Sequence, residues 1–322
     1  MEDHQPAEAS PEQQKKHVLI TSKQLGPPPY VLDPKDLESA FNPFPGHAGF
    51  REVDDDTLVK YGSRVTLAEA EAMNFVYNST SIKCPKVLGA YILDNTGYIL
   101  MSFEKGQSLA SFWESSSDED KDTVIGHLKR YLSEMRGIKG DYVGGFNRSG
   151  CVAREFEWDY DQSDDHQYGP YPDEYGFNEG ILEALHRAHP GPANEDEEST
   201  GYNNIYAIRQ LVHSLRNHEI VFTHGDLHTG NILVQDDLTV VILDWYTAGF
   251  FPEYWEWYKA TSHGFYKPSF IRQVERYIPP FWIEANIMDY VFDKIIGFVA
   301  LPVDVPQRRL TTKNLSSAPC PL

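Results

Sequence analysis

At 322 residues the chain is long enough for one large domain or for two lobes sharing an interface. Apolar residues make up 41% and charged residues 24%, with 19 Tyr and 17 Phe, which excludes a disordered or low-complexity protein and calls for a sizeable core. The formal charge of −20 argues against nucleic acid and anionic membrane as partners; it would suit a cationic small molecule, and a generic acidic surface accounts for it equally well.

Residues 1–16 are polar and charged without an apolar core, so they read as a mobile tail and not as a secretory signal. Pro27-Pro28-Pro29, Pro34, Pro43 and Pro45 extend this into an irregular lead-in through residue 49. Cys84, Cys151 and Cys320 are scattered and odd in number, which implies ordinary reduced thiols and neither a disulfide framework nor a metal-type pair. No apolar run approaches the ~18 residues that a membrane span needs. The expectation is a soluble, cytoplasmic protein.

From Thr57 the pattern sharpens. Thr57–Tyr61 reads as a strand ended by Gly62-Ser63, and Leu67–Tyr77 as a helix of strong helix formers. Val87–Leu93 and Tyr98–Phe103 read as strands joined through Asp94-Asn95-Thr96-Gly97, residues favoured in tight turns. Ser116-Ser117-Asp118-Glu119 is a capping box opening an amphipathic helix to about Met135, so the acidic run there suits the positive end of a helix. Residues 140–176 lack periodicity and predict a long loop. Helices follow over Phe177–Ala188 and Asn203–Asn217, separated by the exposed acidic run 195–198; in the second, positions 205, 208, 211, 212 and 215 share a face. Ile220–Thr223, Asn231–Val234 and Val240–Leu243 are short apolar strands. The aromatic-rich C-terminal third predicts helices over Glu253–Lys259, Ser269–Tyr277 and Pro280–Ala300, with a loose tail from Asp304.

The chemistry is concentrated in His224-Gly225-Asp226-Leu227-His228-Thr229-Gly230-Asn231, followed by Ile242-Leu243-Asp244-Trp245. Phosphoryl transfer needs a carboxylate beside the attacking hydroxyl and hard oxygen ligands for Mg²⁺ on the nucleotide phosphates. A loop between two paired strands can present Asp226 at its tip and Asn231 at its base, and the next strand can deliver Asp244 to the same cleft. An ordinary hairpin with Asp and Asn shaping its turns is the bland alternative; the order of all three groups, flanked by strands, favours the site.

This stretch resembles the catalytic loop and metal-binding turn of the kinase-like superfamily. Together with Ala248-Gly249, Pro252 and Trp255-Glu256 it resembles the aminoglycoside phosphotransferase family in particular. The resemblance runs from about Val53 to Trp257. It implies an α+β, two-lobed, protein-kinase-like fold: a small antiparallel N-lobe over about 50–104 and a mostly helical C-lobe from 105. ATP and Mg²⁺ would lie between the lobes. Asp226 would be catalytic, and Asn231 and Asp244 would hold the metal. Lys60 would hold the nucleotide phosphates, with Glu71, eleven residues after it and fifteen before Lys86 as the family's layout has it, preferred over Glu69 as its ion-pair partner. The backbones of Ser102, Phe103 and Glu104 would read the adenine edge.

The chain departs from the kinase pattern in having no G-x-G-x-x-G loop before Lys60; Gly46 and Gly49 are the nearest substitutes. The implied activity is transfer of the ATP γ-phosphate to a hydroxyl of a small molecule, whether aminoglycoside-like, an amino alcohol or another metabolite. The acidic run at Asp161, Asp164 and Asp165, with Asp173 and Glu174, could meet an amino-bearing acceptor or simply be solvated. The competing reading is a catalytically silent nucleotide-binding module, against which stand Lys60, Asp226, Asn231 and Asp244. A protein kinase is disfavoured, because no A-P-E element follows Asp244.

Overall fold

The computed structural model describes residues 18–44, 47–158, 166–188, 205–262 and 268–296. The expected tail at 1–16, Gly46, the acidic runs at 161–165 and 195–198, Cys320 and the segment from 304 lie outside the described residues.

The elements run β1 (Leu19–Thr21), α1 (Pro34–Ser39), β2 (Phe50–Asp54), β3 (Thr57–Gly62), α2 (Leu67–Ser79), β4 (Val87–Leu93) and β5 (Thr96–Ser102) through the first lobe. In the second come β6 (Gln107–Ser108), α3 (Leu109–Ser115), α4 (Asp118–Gly137), β7 (Gly144–Gly145), α5 (Glu174–Ala188), α6 (Ile205–Ser214), β8 (Ile220–Thr223), β9 (Ile232–Val234), β10 (Val240–Ile242), β11 (Gly249–Pro252), α7 (Trp255–Thr261), α8 (Pro268–Val274) and α9 (Trp282–Ile296).

Five antiparallel strands in the order β1-β4-β5-β3-β2 form the N-lobe sheet. The β4–β5 turn is set by Asp94 and Asn95, both at positive φ, which matches the twist of a two-residue hairpin. Period-two alternation gives β3 two faces. Leu58 joins the main core beneath α2, as does Met101 on β5, while Val59 packs with Leu37, Tyr91, Tyr98 and Leu100 on the opposite face. Lys60 therefore turns to the α2 side.

The lead-in is more ordered than its prolines suggest. β1 pairs with β4, Leu37 of α1 is buried against the outer face of the sheet, and the Tyr91 hydroxyl accepts a hydrogen bond from the Leu32 amide. A three-residue strand without alternation offers no periodic signal, which is why it is illegible before tertiary pairing.

The C-lobe is mostly helical, with two three-stranded sheets, β10-β9-β6 and β7-β11-β8. Ser117 caps α4: its hydroxyl accepts from the Asp120 amide and donates to the Asp120 carboxylate, and Asp118, Glu119 and Asp120 fill the first turn. The segment expected as loop over 140–176 contains β7 and single 3-10 turns at Phe146–Arg148 and Arg154–Phe156. α5 also starts earlier than expected, at Glu174, because the Asp173 carboxylate accepts from the Gly176 amide. On α6, Ile208 and Val212 are buried, as is Leu215 just beyond it, but Ile205 and Leu211 of the same expected face are exposed. Among the described residues no helix is long and apolar enough to cross a membrane, and Cys84 and Cys151 are free and buried.

Two glycines make opposite predictions. A Cβ at Gly97 in β5 would sit 2.0 Å from the Val65 carbonyl oxygen, a backbone atom that leads into α2 and cannot swing away. Gly97→Ala should cost about 1–3 kcal/mol or more. A Cβ at Gly126, inside α4, meets nothing within 4 Å. Gly126→Ala should stabilise by about 0.5–1 kcal/mol. Urea titrations of both variants check the pair.

Candidate active site

β8, the following loop, β9 and β10 build the site. β9 and β10 pair through Ile232↔Ile242 and Val234↔Val240. The Leu243 amide then donates to the Asn231 carbonyl at 2.9 Å, carrying the pairing one step beyond the strands. Asn231 and Asp244 thus stand at neighbouring strand ends, as hairpin geometry requires. The Asn231 amide group donates to the Asp226 carbonyl at 2.9 Å and to Asp226 Oδ2 at 3.0 Å, which fixes that carboxylate.

Lys60 Nζ reaches across from the N-lobe to Asp244 Oδ1 at 2.9 Å and also contacts Glu69 Oε1 at 2.6 Å. Burial alone would lower the Lys60 pKa, but the two carboxylates outweigh it and hold the ammonium up at about 12. Burial likewise opposes ionisation of Asp244, and Lys60 together with the Tyr246 amide keeps its pKa below the usual range. Glu69 is pushed up to about 7 by burial, with Lys60 opposing and Asp244 adding to the rise.

The partner of Lys60 is therefore Glu69 and not Glu71. Positions 69, 72, 73 and 76 form one buried stripe at helical spacing, and Glu69 continues the side of α2 that meets the sheet. Glu71, two residues on, is turned about 200° away around the helix; it accepts hydrogen bonds from the Ser22 hydroxyl and the Asn147 side-chain amide. The stripe was available in the sequence, whereas the spacing to Lys86 favoured the wrong glutamate.

The hinge is narrower than expected. The Ser102 amide donates to the Lys86 carbonyl and the Phe103 amide to the Asp56 carbonyl, so neither is free to donate to an adenine. Among the described residues, the Phe103 carbonyl and the Glu104 amide have no such partner. The Glu104 carboxylate accepts from the Ser102 hydroxyl at 2.7 Å. Gly49 is a ladder residue: its carbonyl accepts from the Tyr61 amide, and a Cβ there would lie 2.6 Å from the Tyr61 oxygen. It brings the start of β2 alongside Lys60, through the pair Phe50↔Lys60.

The loop is braced from below. His224 is fully buried; its Nε2 donates to the Leu243 carbonyl and its Nδ1 accepts from the Asp226 amide, a pattern that requires the neutral ring. Burial lowers its pKa, in agreement. Trp245 packs edge-on against His224 and stacks on Phe222. Sequence reasoning assigned no role to Glu256. Buried on α7, it accepts from the His224 amide at 2.7 Å and the Gly225 amide at 3.3 Å. Burial raises it to about 7 against those hydrogen bonds. Tyr254, Trp255, Trp257 and Tyr258 are core residues, and the cation near Trp255 and Tyr258 is the chain's own Lys259.

The donor set suits Mg²⁺. Among the described residues no group of three or more His, Cys, Asp or Glu side chains is placed to hold a metal. One amide and one carboxylate, Asn231 and Asp244, are the hard oxygen ligands on offer; Mg²⁺ completes its shell from phosphates and water at such sites. The Asn231 amide nitrogen is committed to Asp226, so its oxygen is the end left for a cation. A separate cavity of about 370 Å³ is lined by Thr66, Ala68, Phe156, Tyr168, Tyr246 and Ala248 among others, and by none of these three residues. Thr247 turns the other way and hydrogen-bonds the His224 carbonyl.

Glu256 yields a pH prediction. The folded protein keeps its proton up to about pH 7, whereas a carboxyl with the ordinary value of 4.5 releases it earlier. The stability this gives is complete below about pH 4.5 and is lost as pH rises through about 7. Glu256→Gln should therefore flatten the fall of unfolding free energy across that window, as measured by denaturant titrations at successive pH values.

Three comparisons bear on identity. No curated protein matches the chain. Among solved structures it is similar to a thermostable mutant of aminoglycoside phosphotransferase APH(4)-Ia, at 14% identity over 76% of this chain and 79% of that one, with a TM-score of 0.47. APH(3'')-Id from Streptomyces rimosus is similar at 14% identity over 78% and 93%, TM-score 0.46. Choline kinase LicA from Streptococcus pneumoniae is similar at 13% over 76% and 77%, TM-score 0.39. The model of the phosphotransferase enzyme family APH matches residues 61–278, about two thirds of the chain. With its small antiparallel lobe, helical second lobe and that match, the chain belongs to the APH phosphotransferase family and has its kinase-like fold.

Proposed function

We propose that this protein transfers the γ-phosphoryl group of ATP, with Mg²⁺, to a hydroxyl of a small molecule in the cytoplasm. The observation that carries the reading is the junction of Lys60 from one lobe with Asp244 from the other, beside an Asp226 carboxylate already oriented by Asn231. A structural hairpin has no need of a lysine from the opposite lobe.

Asp226 orients the acceptor hydroxyl and takes its proton as the oxygen attacks phosphorus. The new P–O bond forms as the bond to the β-phosphate oxygen breaks, and ADP leaves with the electron pair. Asn231 and Asp244 would hold the metal, which would neutralise phosphate charge when bound. Lys60, kept charged by Glu69 and Asp244, supplies a cation for the phosphates. The Glu104 amide and Phe103 carbonyl are the backbone groups left to read the adenine edge. The acceptor belongs to the small alcohols, amino alcohols or amino sugars; hygromycin B is bound in one similar structure and streptomycin in another. The net charge of −20 favours a cationic member of that set.

Two outcomes follow. Asp226→Ala should lower turnover by about 10³-fold or more while leaving ATP affinity within about twofold, because a positioned base acts in the transition state and not in nucleotide binding. A panel of amino sugars, amino alcohols and simple alcohols, followed by ADP release, provides the assay. Asp244→Ala should abolish the Mg²⁺-dependent part of the thermal stabilisation by ATP. A wild-type protein that gains no stability from Mg·ATP and consumes none with any acceptor would leave only the silent binding module.

A further inference from the structure

Glu71 is free of Lys60, yet it joins two segments far apart in sequence. Its carboxylate accepts from the Ser22 hydroxyl on one oxygen and from the Asn147 side-chain amide on the other. Ser22 is nearly fully buried, and its oxygen also accepts from the Gln24 and Leu25 amides, so it is the fixed end of a turn directly after β1. Asn147 belongs to the C-lobe. It and Arg148 are consecutive non-glycine residues at positive φ, 56° and 58°, a region that asparagine tolerates and arginine rarely enters. Arg148 is satisfied locally, its amide by the Tyr142 hydroxyl and its guanidinium by Asp141. Asn147 spends its amide group on α2.

The next turn of α2 repeats the contact in apolar form. Phe75, four residues after Glu71, packs 5.2 Å from the Phe146 ring and 5.6 Å from the Phe222 ring, and Phe146 and Phe222 lie 6.0 Å apart. Phe222 is on β8, two residues before His224. One side of α2 thus grips the strand that delivers the catalytic loop, while the other carries Glu69 to Lys60 and Asp244.

We infer that Glu71, clasped by Asn147 and Ser22, is a positioning residue that sets the rotation of α2 and hence the placement of Lys60 for the nucleotide phosphates. The inference rests on the phosphotransferase reading above. A 100° error in the rotation of this helix would move Glu69 by a whole residue position, so a polar clasp two residues away is well placed to fix it. Asparagine is a residue that tolerates the left-handed backbone at this position, and its side-chain amide is the group that meets the helix.

The experiment separates backbone from side chain. Asn147→Gly relieves the positive φ and removes the amide; Asn147→Asp keeps the shape and sets a carboxylate against Glu71. The double variant Glu71→Gln/Asn147→Asp reverses the polarity, with the new glutamine donating to the new aspartate while its oxygen still accepts from Ser22. Binding is read with a fluorescent ATP analogue in Mg²⁺, beside the melting temperature without nucleotide. Asn147→Asp should weaken binding about 5-fold or more, and the double variant should recover to within about twofold of wild type, the non-additivity expected of a direct contact. Asn147→Gly should bind more weakly although its melting temperature is unchanged or raised. Unaltered nucleotide affinity in both single variants, or a double variant no better than Asn147→Asp, would overturn the positioning role while leaving the phosphotransferase reading intact. Wild-type protein that binds no Mg·ATP would sink that reading first, and this role with it.

Discussion

The contact between Lys60 and Asp244 is the constraint on which the arrangement of the site depends. An ammonium from the N-lobe and a carboxylate from the C-lobe meet at 2.9 Å, with the Glu69 carboxylate closing the other side of the ammonium. Removing Lys60 would strand the buried Glu69 without its counter-ion, whereas Asp244, with 40% of its side chain exposed, keeps access to water. Lys60 shares its protons between two acceptors, so the loss of either one alone would not leave the lysine bare.

Around this contact the chain arranges rigid supports for mobile chemistry. Asp226 sits on a loop, but the loop is held by three groups: the Asn231 side chain, the neutral His224 ring, and Glu256, which takes the His224 and Gly225 amides. Glu256 keeps two loop amides satisfied in a place water does not reach. That accounts for a carboxylate in the interior of an otherwise aromatic helix. Lys259, one turn on, holds the fully buried Glu155 of the long connection. A single short helix therefore ties both the loop that carries Asp226 and the connection that carries Glu155.

Much of this was legible in the sequence, and the failures have physical causes. The β9–β10 unit is marked by two short apolar runs with turn residues between them, so Asp226, Asn231 and Asp244 fall where hairpin geometry puts them. Lys60 is legible through the family resemblance, as the lysine near the end of a strand that precedes a helix, whereas the face it takes, shared with Leu58, comes from the packing of β3 against α2. Glu71 was preferred over Glu69 because spacing to a distant lysine was weighed above the buried stripe on the same helix. The hinge donors at Ser102 and Phe103 were misjudged because their partners, Lys86 and Asp56, come from neighbouring turns whose carbonyl directions have no sequence signature. Glu256 carried a weak signal, a carboxylate inside a run of Trp and Tyr. An acidic residue in such company must find donors, and the loop amides are what it finds.

The early strand and short helix ahead of β2 bear on where this catalytic unit may be cut. The span matched to the family begins at Tyr61, one residue beyond Lys60. A fragment trimmed to that border would lose Lys60, the edge strands β1 and β2, most of β3 with its Val59, and the Leu37 cover over Tyr91 and Leu100. Its remaining strands would show bare apolar flanks and unpaired margins, the features from which aggregates grow. The autonomous unit is therefore longer at its front than recognition by likeness suggests, and its unpromising proline-rich preface is the roof of the N-lobe sheet.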